Sequence, residues 1–230
     1  MAPDAQAQRA ESLFQELRRA RHVKGDRMFA VLMGAQWAFA IVLALTVSPY
    51  AWDGKVRAFH PHLYAAVLMG GGIAVLPILL SVLRPGWAVT RHVVAASQML
   101  WSALFIHLTG GRIETHFHVF GSLAFIAFYC EWQLLLTATV VVAGDHLLRG
   151  VFYPESVYGI VNPEWWRFLE HAGWVAFENI VLAWSCLNGL TEMRETAARQ
   201  TQVEALRATD EVHSATLEML MRELEPAAAK

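Results

Sequence analysis

Six long apolar runs, at residues 28–47, 62–83, 88–109, 114–130, 132–149 and 169–190, constrain this chain more than any other feature. A helix needs about 20 mainly apolar residues to cross the hydrocarbon core of a bilayer. Runs of this number and length exceed what a water-soluble domain of 230 residues can bury. Hydrophobic residues make up 56% of the chain and charged residues 17%, with a mean hydropathy of +0.36, so the surplus apolar surface has to face lipid. Pro49, Pro61, Pro85-Gly86, Gly110-Gly111, Pro154 and Pro163 fall at the joints between runs, where helix breakers belong. The expected fold is an all-α membrane protein, a six-transmembrane-helix bundle. Its fourth and fifth spans are short and meet in a tight hairpin at Glu131-Trp132-Gln133.

Charge orients the bundle. Of the 18 lysines and arginines, thirteen lie before the first run, between the second and third, and after the last, whereas five lie on the other side. The positive-inside rule then places both termini in the cytoplasm. The chain divides into a basic N-terminal helix over 1–27, a membrane domain over 28–190 and a cytoplasmic C-terminal helix over 191–230. The N-terminal helix, with Phe14 and Leu17 among its arginines, is expected to lie along the anionic inner leaflet. It is no signal peptide, because the first apolar run is too long for a cleavable segment and lacks a cleavage site. Cys130 and Cys186 sit inside apolar runs without paired spacing, which suggests neither a disulfide framework nor a cysteine zinc site. No basic tract suits a phosphate backbone, so nucleic acid is not an expected partner.

That orientation gathers ionisable residues at one depth. His60 and His62 open the second run, His107 closes the third, Glu114, His116 and His118 open the fourth, Asp145 and His146 close the fifth, and Glu170 and His171 open the sixth. All fall in the outer half. Ionisable groups inside a span cost several kcal/mol unless they are paired or face a cavity, so a set drawn from five spans asks for one explanation. Imidazole and carboxylate ligate zinc, copper and non-haem iron, and the candidate metal ligands are His107, Glu114, His116, His118, Asp145, His146, Glu170, His171 and Glu178. His118, His146 and His171 lead this set. Glu114 and His118, four apart, share a helix face, and His116 points elsewhere. His171 and Glu178, seven apart, also share a face, with Trp174 between them.

Each candidate has a plainer reading. Asp145 and Arg149, four apart, can form a local ion pair; His60 and His62 flank Pro61 where interfacial histidine is ordinary; His107 can cap carbonyls at a helix end; Glu178 and Asn179 can make a polar contact between helices. Two facing imidazoles could instead ligate haem iron, with Phe117, Phe120, Phe125 and Trp174 lining its slot. Trp174 and Arg149 are the candidate contacts to such a bound cofactor, and haem ranks below a bare iron, copper or zinc ion. A retinal pigment is disfavoured because no lysine lies in any run to form a Schiff base. The aromatic segment 152–168, with Tyr153, Tyr158, Trp165 and Trp166, is expected to fold over the outer surface as an interfacial belt or a lid.

The stretch from Gly110 through Ile113-Glu114-Thr115-His116-Phe117-His118 to Gly121-Ser122, followed by Phe128-Tyr129, Asp145-His146, Arg149-Gly150-Val151-Phe152 and Glu170-His171-Ala172-Gly173-Trp174, carries a resemblance. It resembles the N-terminal multi-span region of bacterial signalling proteins that precedes PAS, histidine-kinase or diguanylate-cyclase modules. The resemblance covers roughly residues 10–200. It implies a sensory input domain of a bacterial inner membrane, part of a two-component or related system, with His116, His118, Asp145, His146, Glu170 and His171 as its functional core.

No kinase or cyclase follows residue 200, so the implied role is input rather than catalysis, with a separate cytoplasmic signalling partner or a missing output domain. The tail from Thr191 to Leu224 reads as a helix. Val203, Leu206, Leu217, Leu220 and Leu224 fit a heptad seam in which Asp210 and His213 fill the intervening core positions. Such a seam makes a homodimer the default. The rival classes are a membrane-embedded metal-dependent oxidase or hydrolase using the same residues, a haem- or quinone-binding protein, and a transporter, for which broken helices or an inverted repeat are missing.

Overall fold

The computed structural model describes residues 3–228, with side chains placed from Asp4 to Arg222, so Leu224 of the tail seam lies outside the described side chains. About 85% of the chain is helical, and among the described residues the departure from an all-α fold is one two-stranded hairpin. In chain order the elements are α1 (Pro3–Val47), β1 (Tyr50–Asp53), β2 (Val56–Phe59), α2 (Pro61–Tyr64), a π-helical turn (Ala65–Met69), α3 (Gly70–Leu83), α4 (Ala88–Leu108), α5 (Ile113–Ile126), a 3-10 turn (Ala127–Tyr129), α6 (Trp132–Phe152), α7 (Glu155–Tyr158) and α8 (Arg167–Ala228). Three helical stretches, Asp4–Val47, Pro61–Leu83 and Trp132–Phe152, are long and apolar enough to cross a bilayer. At 14 residues α5 spans about 21 Å at 1.5 Å per residue, short of a bilayer core of about 30 Å.

The chain forms two compact units, one of residues up to Arg19 with those from Leu190 onward, the other Ala20–Gly189. In the first, Leu13 and Phe14 pack with Met193 and Ala197, flanked by Leu17 and Leu190. The Arg194 guanidinium lies 4.8 Å from the Phe14 ring centre, and Arg9 pairs with Glu204 at 3.1 Å. The helix expected over 1–27 is continuous with the first apolar run, α1 being one helix of 45 residues, and its Phe14 face packs on Met193 and Ala197. Val203, Leu206, Leu217 and Leu220 remain exposed, at 46, 70, 61 and 47%.

In the second unit α4 is central, packed against α3, α5, α6 and α7. It buries polar Arg91, Ser97, Gln98 and Ser102 along with Val94, Met99, Trp101 and Leu104, which is why its sequence is less apolar than that of its neighbours. The core around it includes Phe29, Met33, Leu123, Ile126, Leu134 and Leu135. Gly25 sits inside α1 without breaking it, because the Tyr129 ring occupies its open side; a Cβ there would come within 2.6 Å of Tyr129 Cε1. Gly70 and Gly71 play the same part for Trp37, which a Cβ at either position would meet at 2.9 Å. The Trp37 indole donates at 3.2 Å to the Val67 carbonyl, within the π-helical turn.

The hairpin between α1 and α2 pairs Tyr50 with Phe59 and Asp53 with Val56, turning at Gly54 with φ +59°. Tyr50 stacks on Phe59 at 5.8 Å, and the Arg57 guanidinium sits 3.3 Å from the Tyr50 ring centre. The α5–α6 turn is tighter than the sequence suggested: Cys130 takes a left-handed φ of 54°, Glu131 stands just before α6 without a side-chain bond to its first turn, and Trp132 and Gln133 are already helical. Arg91 binds Glu131 through Nε at 2.7 Å and Nη2 at 2.9 Å and donates from Nη1 to the Gly86 carbonyl at 2.7 Å. Beside it Asp26 accepts from the Tyr129 hydroxyl at 2.7 Å and from the Gly86 amide at 2.6 Å. A polar knot thus ties α1 and α4 to both turns.

The opposite turns meet backbone to backbone. Gly111 and Gly159 have φ of +78° and +67°, and a Cβ on Gly111 would fall 2.2 Å from the Gly159 amide nitrogen. A side chain there has no room, and the left-handed conformation disfavours one in any case. Gly111→Ala is expected to lower stability by more than the about 1–2 kcal/mol that the left-handed conformation alone costs, whereas Gly121→Ala, inside α5 with open space at its Cβ, is expected to stabilise by up to about 1 kcal/mol. Thermal unfolding of both variants in detergent checks this; equal midpoints would contradict the close approach.

Candidate functional site

Three imidazoles from three helices meet in the second unit. The ring centres of His116 on α5 and His171 on α8 are 5.3 Å apart, those of His116 and His146 on α6 are 5.6 Å apart, and those of His146 and His171 are 6.0 Å apart. His116 and His146 are each 5% exposed, and His171 is half-buried. All three line one cavity of about 90 Å³, whose other walls include Val119, Phe120, Val142, Ala143, Phe168 and Val175.

Each ring is held the same way. His116 Nδ1 lies 2.9 Å from the Arg112 carbonyl, His146 Nδ1 3.1 Å from that of Val142, and His171 Nδ1 2.9 Å from that of Arg167. Helical side chains lean toward the N-terminus, so a histidine readily reaches the carbonyl four residues back. A carbonyl only accepts, so Nδ1 donates in all three rings, and in the neutral form of such a ring Nε2 keeps its lone pair. His116 Nε2 is buried and has no hydrogen-bond partner. A ring anchored at Nδ1 with a free Nε2 is the form in which histidine ligates a metal. Among the described residues no group of three His, Cys, Asp or Glu side chains is arranged to hold a metal ion.

Asp145 is adjacent but engaged. Its carboxylate takes Arg149 Nε at 2.7 Å and Nη2 at 2.5 Å and lies 3.3 Å from His146 Nδ1. Arg149 Nη1 goes on to Ser156 Oγ at 2.8 Å, and Ser156 Oγ meets His107 Nδ1 at 2.8 Å. Asp145 and Arg149 therefore satisfy each other and brace His146 and α7, rather than presenting themselves as a ligand and a cofactor contact. Tyr158, at the end of α7, sets its ring 5.5 Å from that of His171. Burial pushes its hydroxyl pKa up, against the opposing Arg167, so it stays neutral.

His118 belongs elsewhere. Gln36 and Gln98 exchange amide hydrogen bonds at 3.0 Å. Gln36 Nε2 also donates to His118 Nε2 at 3.0 Å, and His118 Nδ1 faces Ser102 Oγ at 2.8 Å and Ser122 Oγ at 3.3 Å. With Nε2 accepting, Nδ1 must donate, so both nitrogens are committed. This reverses the sequence expectation within α5: His116, not His118, faces His146 and His171. The exposed Glu114 faces outward. His107 is also apart, its ring 5.1 Å from that of His62, which is 4.2 Å from that of His60.

Glu170 is exposed and lines a groove beside the cavity with Ile113, Phe117 and Trp174. Trp174 is 63% exposed against Phe177. Glu178 is half-buried, with Oε2 enclosed and unpartnered, and lines none of the described cavities. Its neighbour Asn179 donates to Thr139 at 2.7 Å. The segment 152–168 does reach the site, through Tyr158 and Phe168, but Trp165 is 82% exposed. Sequence reasoning missed the glutamine–serine set around His118 and the Arg91–Glu131 pair. The signal was there, since Gln36, Arg91 and Gln98 interrupt otherwise apolar runs.

No family profile matches the chain, and no solved structure matches it. It is similar to transducer protein Htr8 of Halobacterium salinarum (strain ATCC 29341 / DSM 671 / R1), with 30% identity over 141 residues, covering 59% of this chain and 20% of that protein. The chain thus spans about a fifth of the length of that transducer.

Proposed function

We propose that this chain is the signal-input unit of a membrane transducer, with a transition-metal ion held by His116, His146 and His171 as the sensed or sensing group. The observation that carries the reading is the grouping of three rings from α5, α6 and α8, each with Nδ1 tied to its own helix, with the buried Nε2 of His116 left without a hydrogen-bond partner. Similarity to a transducer protein supports a signalling role, and three helices apolar enough to cross a bilayer support a membrane setting. In this reading six helices span the inner membrane of a bacterium, both termini are cytoplasmic, and two copies pair along Val203, Leu206, Leu217 and Leu220. His171 lies on the same unbroken helix as the tail, Arg167–Ala228, so an ion that draws His171 toward His116 and His146 acts directly on the output element. Such a device needs two conformations and a ligand that favours one. A cavity of about 90 Å³ holds several waters, which suits an ion with a small ligand.

Elemental analysis of detergent-purified protein tests this. The parent is expected to carry a stoichiometric transition metal, and a His116→Ala, His146→Ala, His171→Ala variant none. A parent that stays metal-free after reconstitution would remove the metal from the account.

A further inference from the structure

We propose that Cys130 and Cys186 are a redox pair, two thiols that a peroxide converts to an internal disulfide tying the α5–α6 turn to α8. The proposal stands apart from the metal reading, because neither cysteine lines the three-histidine cavity.

Distant in sequence, the two thiols converge on one carbonyl. Cys186 Sγ donates to the Ala127 oxygen at 3.6 Å, and the same oxygen accepts from the Cys130 amide at 2.9 Å. Cys130 Sγ in turn rests on α8 itself. A Cβ on Gly189 would fall 2.8 Å from that sulfur, and Gly189 stands about one turn after Cys186 on the same helix face. Cys130 holds this position at a left-handed φ of 54°, and among the described residues no other residue except glycine has a positive φ. Such strain persists only where the surroundings fix a residue in place, and it gathers at functional sites.

The surroundings also assign the roles. Arg21 Nη1 donates to Cys130 Sγ at 2.6 Å, and a neighbouring cation is a recurrent feature of reactive cysteines, whose nucleophile is the thiolate. Arg21 is exposed, so Cys130, 6% exposed, lies one side chain below the surface, whereas Cys186 is enclosed at 1%. Cys130 therefore meets the oxidant first. Its thiolate sulfur attacks one oxygen of hydrogen peroxide, the O–O bond breaks, and the departing hydroxide takes up the proton that the thiol released, giving a sulfenic acid and water. The Cys186 sulfur then attacks the Cys130 sulfur. The S–S bond forms, the S–O bond breaks, and the hydroxyl leaves with the Cys186 proton as a second water. The two thiols give up two electrons and two protons, and the peroxide is reduced to water. Cys186 lies on the unbroken helix Arg167–Ala228, so the bond fastens the helix that carries the tail. In the proposed orientation this turn faces the cytoplasm, where thiols are kept reduced and a disulfide that does form is a transient signal.

The test exposes the full, pre-reduced chain in detergent to hydrogen peroxide, with a chelator present to exclude metal-catalysed oxidation. Thiols are counted with a maleimide after denaturation, and peptides are mapped by mass spectrometry. Both thiols should be lost together and restored by dithiothreitol, with a cross-linked peptide joining Cys130 to Cys186. Cys186→Ser should stop at a Cys130 sulfenic acid that dimedone traps, Cys130→Ser should leave Cys186 open to the maleimide, and Arg21→Gln should slow the reaction; circular dichroism checks that each variant is folded. Methionine oxidation with both thiols intact in the parent would overturn the proposal, as would a disulfide between chains in place of the internal one. Loss of the Cys186 thiol in Cys130→Ser as fast as in the parent, or an unchanged rate in Arg21→Gln, would overturn the roles assigned to Cys130 and Arg21.

Discussion

His116→Ala is expected to empty the metal site while the protein stays folded, and His118→Ala to do the reverse. The two residues are neighbours in sequence and have opposite hydrogen-bonding states. His116 Nε2 is buried with nothing to accept from, so deleting the ring removes a desolvated acceptor, which offsets part of the loss of its packing and of the Nδ1 bond to Arg112. It does remove one of three ligands. His118 has both nitrogens bonded, to Gln36 and to Ser102 with Ser122, and its loss leaves buried polar groups unsatisfied at about 1–3 kcal/mol. An ion that binds only the folded state raises its stability, so metal should raise the unfolding midpoint of the parent and of His118→Ala, from a lower start, but not that of His116→Ala. Metal-to-protein ratio and thermal unfolding measured together decide it. Equal metal loss in both variants would contradict the assignment.

The second large effect is expected at the knot joining α4 to the α5–α6 turn. The Arg91 and Glu131 side chains are 7 and 10% exposed and 2.7 Å apart. Removing one partner of a buried ion pair strands the other charge and typically costs about 3–5 kcal/mol. Glu131 also lies 3.5 Å from His22 Nε2, so its loss affects α1 as well. Arg91→Met and Glu131→Gln should each destabilise by that order, and Arg91→Met with Glu131→Leu together should recover much of it, because apolar replacement of a whole pair is often neutral. Unfolding of the three variants in denaturant checks this. Single variants as stable as the parent would show that the pair contributes nothing.

What the sequence could and could not reveal follows from what it encodes locally. Apolar runs bounded by Gly and Pro locate helices well, and the breaks at Pro85-Gly86, Gly110-Gly111 and Pro154 match the gaps between α3 and α4, α4 and α5, and α6 and α7. The continuity of α1 was not legible, because the basic helix over 1–27 and the apolar run from 28 read as separate segments until one helix is seen to carry through both, with the Tyr129 ring filling the space beside Gly25. The hairpin over 50–59 is too short to stand out from a loop. At the site, spacing shows which residues share a helix face but not which face turns inward. That rotation is set for α5 by Gln36 on α1 and Ser102 on α4, which bind His118 and so turn His116 toward His146 and His171. The Asp145–Arg149 pair was legible, since both partners lie one turn apart on a single helix.

Hydrogen–deuterium exchange of the full chain in lipid nanodiscs, metal-loaded and metal-stripped, tests most directly whether occupancy of the three-histidine site reaches the output helix. The account predicts that loading changes exchange in the helix beyond Leu190 in the parent and leaves it unchanged in His116→Ala. Full occupancy of the site in the parent with identical exchange in that segment would contradict it.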